Sequence, residues 1–321
     1  MRPVWTPELR AHVKRKERNR RLTIIAAVAI VIVSLLLGVY VALNTGSGLD
    51  SYVGKPVPAS GMSTLYQLSL PPYGPAGTSA MISGVGNASG APYVTANGKP
   101  ILVYIGAEFC PYCAAMRWPI ILALMRFGNF SNLHYMTSAD DDGDFASFTF
   151  NGASYNSSYL VFQPFENENR AGVVQVPVPS NYSAEWSQPS AACPITTESP
   201  TGGDCYPFLN FGNKYIVGSM LDPFNLPMGQ KNWTQIYTSI KTGDTLGTAM
   251  KEAANVITAL VCKITGGAPA KVCSNEPDLG PLDSLVSYSV PFQPASTALV
   301  STVAPEGSTV RLSEFDNLQS L

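Results

Sequence analysis

The chain has 321 residues, of which 45% are hydrophobic and only 13% charged, with 27 Gly and 26 Pro. Its net charge of −2 conceals a split: residues 1–21 hold eight Lys/Arg against two acids, a charge of +6, and the other 300 residues carry −8. Nothing basic gathers on the larger part, which excludes the electrostatic footprint of a nucleic-acid-binding protein.

The first element in chain order is Leu22–Leu43, 22 residues without a charge. As a helix it covers about 33 Å, against a bilayer hydrocarbon core of about 30 Å. It reads as a single transmembrane helix; a cleavable signal peptide is the competing reading. Lys14, Arg15, Lys16, Arg18, Arg20 and Arg21 precede it, and the first charge after it is Asp50. The positive-inside rule then makes residues 1–21 a cytoplasmic basic tail and places the main domain outside the cell membrane. Residues 44–98 read as a Gly/Pro/Ser-rich stalk and extension, with a short strand over 62–70 and an Asn97-Gly98 turn.

The main domain is expected over 99–273. Ile101–Ile105 is a β-branched and aromatic run, the pattern of a strand buried on both faces. Ala114–Phe127 is apolar almost all round, a largely buried helix bounded by Gly128 with Pro119 as a kink point. Leu133–Thr137 reads as a second strand, and a poorly periodic insert occupies about 138–204. Tyr206–Gly218 reads as strand, tight turn, strand. Trp233–Ile240 reads as a short helix and Thr245–Lys263 as a longer one. Residues 274–321 form a Pro- and Ser-rich C-terminal extension.

All six cysteines come after the apolar segment and fall into three local pairs, as in an oxidising compartment. Cys193–Cys205 and Cys262–Cys273 read as structural disulfides. Cys205 lies close to Pro207, so a relay of electrons through Cys193–Cys205 is the functional alternative. Five sequons, at Asn87, Asn129, Asn156, Asn181 and Asn232, are glycosylation candidates on the outer side.

Cys110-Pro111-Tyr112-Cys113 stands where the buried strand passes into the helix. A helix N-terminus favours a thiolate through its unpaired N–H groups and dipole. Cys110 is therefore expected to be an exposed nucleophile and Cys113, one turn in, the buried resolving thiol. Pro111 suits a first helical turn. Half of a zinc site competes, but His134 is the only histidine after the apolar segment and the other cysteines are widely spaced. A purely structural disulfide also competes, although so short a bridge closes almost no loop. No metal or other cofactor is expected. Glu108 and Arg117 are candidate tuning residues, against readings as a capping Glu and a solvated Arg. The acidic run Ser138–Asp144 lacks the first and last ligands of a calcium loop and reads as a solvated turn.

The segment Lys99–Phe127 with its Cys-Pro-Tyr-Cys, and later Tyr206-Pro207-Phe208, resembles the thioredoxin superfamily. The wording around Gly106–Trp118 and Arg126–Ser131 is similar to an uncharacterised, mostly archaeal family of membrane-anchored thioredoxin-like proteins, a domain of unknown function. The resemblance implies an α/β thioredoxin-like fold with a long insert. It implies a cis-proline at Pro207 facing the redox pair, with Tyr206 and Pro207 in the substrate-binding surface. It also implies thiol–disulfide exchange on protein thiols and disulfides. Because one transmembrane helix offers no quinone pocket, a second membrane protein is expected as the redox partner that resets the pair. Phe109 stands where thioredoxins carry Trp, and Pro119 falls one residue later than their kinking proline. The alternative is a non-catalytic surface or membrane-complex subunit using the same body as a binding module.

Overall fold

The computed structural model describes residues 7–44, 48–78, 81–82, 85–87, 93–139, 143–180, 182, 206–218, 221, 228–229 and 231–274. Cys193, Cys205, Asn181, residues 140–142 of the acidic run and the extension from 275 onward lie outside the described residues.

The first helix, α1 (Pro7–Asn44), is longer than the apolar segment alone and takes in the basic residues before it. Lys and Arg are good helix formers, so the charged stretch continues the same helix. The most apolar 18-residue window of the span Lys14–Leu36 has a mean hydropathy of 1.9 and none of that window is buried, and one helix among the described residues is thus apolar enough to cross a membrane.

The segment after α1 packs onto the body, where a stalk was expected. After a 3₁₀ turn at Leu49–Tyr52, Gly54 N donates to Tyr135 O and Val57 N to Leu133 O, both at 2.8 Å. The strand expected over 62–70 is a helix, α2 (Ala59–Ser69). Gly61, Leu65 and Ser69 are its buried residues, at the four-residue spacing of one helical stripe, so the helical period prevails over β-propensity.

A mixed sheet forms the centre. Its strands are β1 (Val85–Asn87), β2 (Thr95–Ala96), β3 (Lys99–Ala107), β8 (Val161–Glu168), β9 (Phe208–Phe211) and β10 (Tyr215–Gly218). The spatial order is β1-β10-β9-β3-β2, with β8 also pairing β3. β9 runs antiparallel to β3, with Ile105 opposite Phe208, and β8 runs parallel to it, from Ile101 opposite Val161 to Ala107 opposite Glu168. The Asn97-Gly98 turn between β2 and β3 has positive φ at both residues, the geometry of a tight hairpin. Ile101, Val103 and Ile105 pack with Phe208 and Ile216 on one face, and Leu102 and Tyr104 with Leu209 and Phe211 on the other, so β3 is buried on both sides.

The region read as an insert therefore supplies a strand of this sheet, β8, paired to β3. It also contains β6 (Ala146–Thr149) and β7 (Ser154–Ser157). β4 (Gly128–Ser131) pairs with β7, and β5 (His134–Thr137) pairs with β6 away from the central sheet. β8 escaped the sequence reading because its last buried residues are polar, Glu166 and Asn167, so no hydrophobic run marks it.

Helix α3 (Pro111–Leu124) is buried from Cys113 to Leu124 and packs against α5 (Thr245–Ile264). α4 (Trp233–Thr242) packs on α5 and opens with a capping box from Asn232 and Gln235. A disulfide joins Cys262 of α5 to Cys273, the last residue of α6 (Ala270–Cys273).

Candidate functional site

β3 ends at Ala107 and α3 starts at Pro111, so the backbone turns at Cys110, the N-cap of α3. Its Sγ accepts a hydrogen bond from Cys113 N at 3.3 Å, a role that Ser or Asp oxygens usually fill. Pro111 occupies the first turn. Both thiols are free. Cys113 is fully buried, and Cys110 is only 4% exposed, which corrects the expectation of an exposed nucleophile. Phe109 and Tyr206 pack around it, their rings edge-on with centroids 6.2 Å apart, and its Sγ–H lies 3.9 Å from Tyr206 O.

The two sulfurs are unlike electrostatically. Burial opposes ionisation of Cys110, but the Cys113 thiol and amide, the Arg117 charge and the Tyr112 amide together outweigh it, and its pKa is lowered. Burial pushes Cys113 well above the usual thiol value, and the hydrogen bond to Cys110 and the Cys110 charge push it the same way. Ionisation is thus favoured at Cys110 over Cys113.

Arg117 is not a solvated side chain. It is fully buried one turn beyond Cys113 and faces Glu166 of β8. Nε donates to Glu166 Oε1 at 2.9 Å and Nη2 to Oε2 at 2.6 Å, a bidentate pair, while Nη2 also reaches Ala107 O at 2.9 Å. Phe150 N donates to Glu166 Oε1 at 3.1 Å. Burial disfavours the Arg117 cation, and Glu166 overrides it, so the charge persists beneath the cysteines. Arg117 Nη1 and the Tyr104 hydroxyl are buried without a hydrogen-bond partner. Glu108 is buried as well: its Oε1 accepts from Thr149 Oγ1 at 2.6 Å, so it caps no helix.

Tyr206 and Pro207 lie beside the pair at the head of β9, and the peptide between them is cis. The Tyr206 hydroxyl donates to Glu168 Oε1 at 2.9 Å and accepts from Asn167 Nδ2 at 2.6 Å. Cys110, Cys113, Arg117, Tyr206 and Pro207 thus meet in space. Glu166, Asn167, Glu168, Thr149 and Tyr104 were missed by the sequence reading, four of them because they sit in the presumed insert.

The other sequence candidates lie elsewhere. Asn129 and Asn156 face each other across β4 and β7, both exposed; Asn87 ends β1 and Asn232 caps α4. Among the described residues, no group of three or more His, Cys, Asp and Glu is placed to hold a metal ion.

The fold and site define a mixed α/β protein that carries a buried, asymmetric dithiol where a central strand meets a helix. The chain belongs to the family described as Domain of unknown function (DUF929), whose model matches residues 88–263, more than half of its length. No curated protein and no solved structure matches it.

Proposed function

We propose that the protein is a membrane-anchored, extracytoplasmic thiol–disulfide oxidoreductase with a thioredoxin-like body. The observation that carries this reading is the Cys110–Cys113 dithiol at the N-terminus of α3, with Cys110 favoured as thiolate and Cys113 as thiol. The buried Arg117–Glu166 pair behind it and the Tyr206-Pro207 segment beside it support the same reading. The parallel β3–β8 and antiparallel β3–β9 pairing supports the thioredoxin-like body, as does the resemblance to archaeal membrane-anchored relatives. The basic residues ahead of the apolar helix support a cytoplasmic N-terminus.

In the exchange step the Cys110 thiolate attacks one sulfur of a partner disulfide. A mixed disulfide forms and the other partner sulfur leaves as thiolate. Cys113 then loses its proton and attacks Cys110 Sγ, releasing the second partner sulfur. Two electrons have passed to the partner, now a dithiol, and Cys110–Cys113 is left as a disulfide; the reverse sequence oxidises a partner.

The test is trapping in the native membrane. Cys113→Ser should accumulate a mixed disulfide through Cys110 on non-reducing gels, and Cys110→Ser should accumulate none. A second reading, a non-catalytic binding module, draws on the burial of Cys110 under Tyr206 and Phe109. Under that reading an oxidised Cys110–Cys113 pair resists dithiothreitol or glutathione as firmly as Cys262–Cys273 does. Under the catalytic reading it is reduced well before.

A further inference from the structure

The end of the body that holds the redox pair is also the end at which the chain leaves α1. Residues 54–57 run antiparallel to β5, through the hydrogen bonds of Gly54 to Tyr135 and Val57 to Leu133. Traced backwards from Val57 to Gly48, the chain travels towards the C-terminal end of β5. There Ala139 N donates to Phe109 O at 2.9 Å, one residue before Cys110. Asp50 is fastened at the same end. Its Oδ1 lies 2.9 Å from Arg170 Nη1, and Arg170 Nη2 donates to Ser138 O at 3.2 Å. Only residues 45–47 separate α1 from Gly48, so even a fully extended link starts the body within about 14 Å of the helix end.

Exposed apolar side chains gather here. Seven large hydrophobic residues outside α1 are exposed among the described residues, and four of them surround this end, at 45% to 59% exposure. Tyr52 lies two residues beyond Asp50, and Tyr112 lies between the cysteines. Val173 and Val174 sit in the turn that carries Arg170, where Asn169 N donates to Val173 O at 2.9 Å. The opposite end, where α3 stops and β4 pairs β7, presents the exposed sequon residues Asn129 and Asn156, with Tyr159 close by.

We propose that the rim formed by Tyr52, Tyr112, Val173 and Val174 rests on the surface of the membrane that α1 spans, so that Cys110 meets sulfurs presented at that surface. Tyrosine is enriched at this interfacial depth, and aliphatic tips gain by leaving water. The short tether keeps the rim at high effective concentration next to the bilayer. The proposal rests on the anchor reading above. It narrows the exchange partner to a membrane protein whose reactive cysteine lies at the bilayer surface.

Photocrosslinking of the full-length chain in phosphatidylcholine vesicles tests it without using the cysteines. Benzoylphenylalanine replaces Val173 in one variant and Tyr159 in another, and lipid adducts on each peptide are measured by mass spectrometry after irradiation. The expected result is at least tenfold more adduct at 173 than at 159, in protein that floats with the vesicles. Floating protein with equal adduct at both positions, or with none at 173, overturns the membrane-facing rim and leaves the anchor intact. Protein that does not float overturns the anchor reading and this proposal with it.

Discussion

Arg117 shows what a single buried charge imposes on its surroundings. A guanidinium with no solvent exposure is tolerated because Glu166 meets it bidentately, Ala107 O accepts from its Nη2 and Phe150 N donates to Glu166, although Nη1 is left without a hydrogen-bond partner. Removing one partner leaves the other charge buried and unpaired, which costs about 3–5 kcal/mol. Glu166→Gln should therefore lower the urea midpoint of the detergent-solubilised chain markedly. Adding Arg117→Met to it should recover part of the loss, a coupling that a double-mutant cycle reads directly.

Arg117 also lowers the Cys110 pKa, so the same residue sets a pH dependence. A lowered thiol pKa means that thiolate persists to lower pH, and alkylation of Cys110 should reach half its maximal rate below the free-thiol value of about 8.5. Arg117→Met should move that midpoint upward. Cys113 should stay unlabelled across the range, since burial, its bond to Cys110 and the Cys110 charge raise its pKa. Faster labelling of Cys113 than of Cys110 at pH 6 would reverse the two roles.

Among the elements, α4 and α5 approach closely enough that one position admits only glycine. A Cβ at Gly247 would lie 1.9 Å from Ser239 O, a backbone atom that cannot swing aside. Gly247→Ala is expected to destabilise by about 1–3 kcal/mol, since overpacking forces the helices apart. Loss of helical circular dichroism at lower urea would register it, and an unchanged midpoint would mean that the helices slide freely. At the other end of α5 the Cys262–Cys273 bridge spans 11 residues. Loops of this size stabilise by about 3 kcal/mol in the chain-entropy model. Cys262→Ser with Cys273→Ser should cost a comparable amount and leave Cys110 reactivity unchanged.

β8 explains why the elements were unequally legible. Helices such as α5 announce themselves through apolar spacing and a flanking glycine pair, and β9–β10 through β-branched and aromatic runs around a Gly-Asn turn. β8 pairs with the central strand yet reads Gln163-Pro164-Phe165-Glu166-Asn167-Glu168. Val161, Phe162 and Phe165 pack on the apolar core, but Glu166, Asn167 and Glu168 answer to Arg117 and Tyr206. A strand whose partners are polar groups of a site carries no hydrophobic period.

At the scale of the whole molecule, the anchor reading predicts one topology. Protease added to intact cells should degrade the chain beyond about residue 50 and spare α1. Recovery of a protected peptide containing Cys110 would refute the outward orientation. The body docks through residues 49–57 directly after α1, so cleavage should be slow in folded protein and fast after unfolding, because docked backbone resists proteases.

Composition, local spacing and short motifs determined much by themselves: an apolar helix behind a basic flank, a Cys-x-x-Cys where a buried strand meets a helix, and the hairpin just after Pro207. Each depends on neighbours within a few residues, which a linear chain displays directly. Only the tertiary structure decided that Arg117 is buried against Glu166, 49 residues away. It likewise decided that Cys110 is sheltered by Tyr206, 96 residues away, and that the segment after α1 docks at the end of the body that holds Cys110. Those arrangements arise from strand register and long-range packing. The residues they join carry no pattern that marks them as partners before the chain has folded.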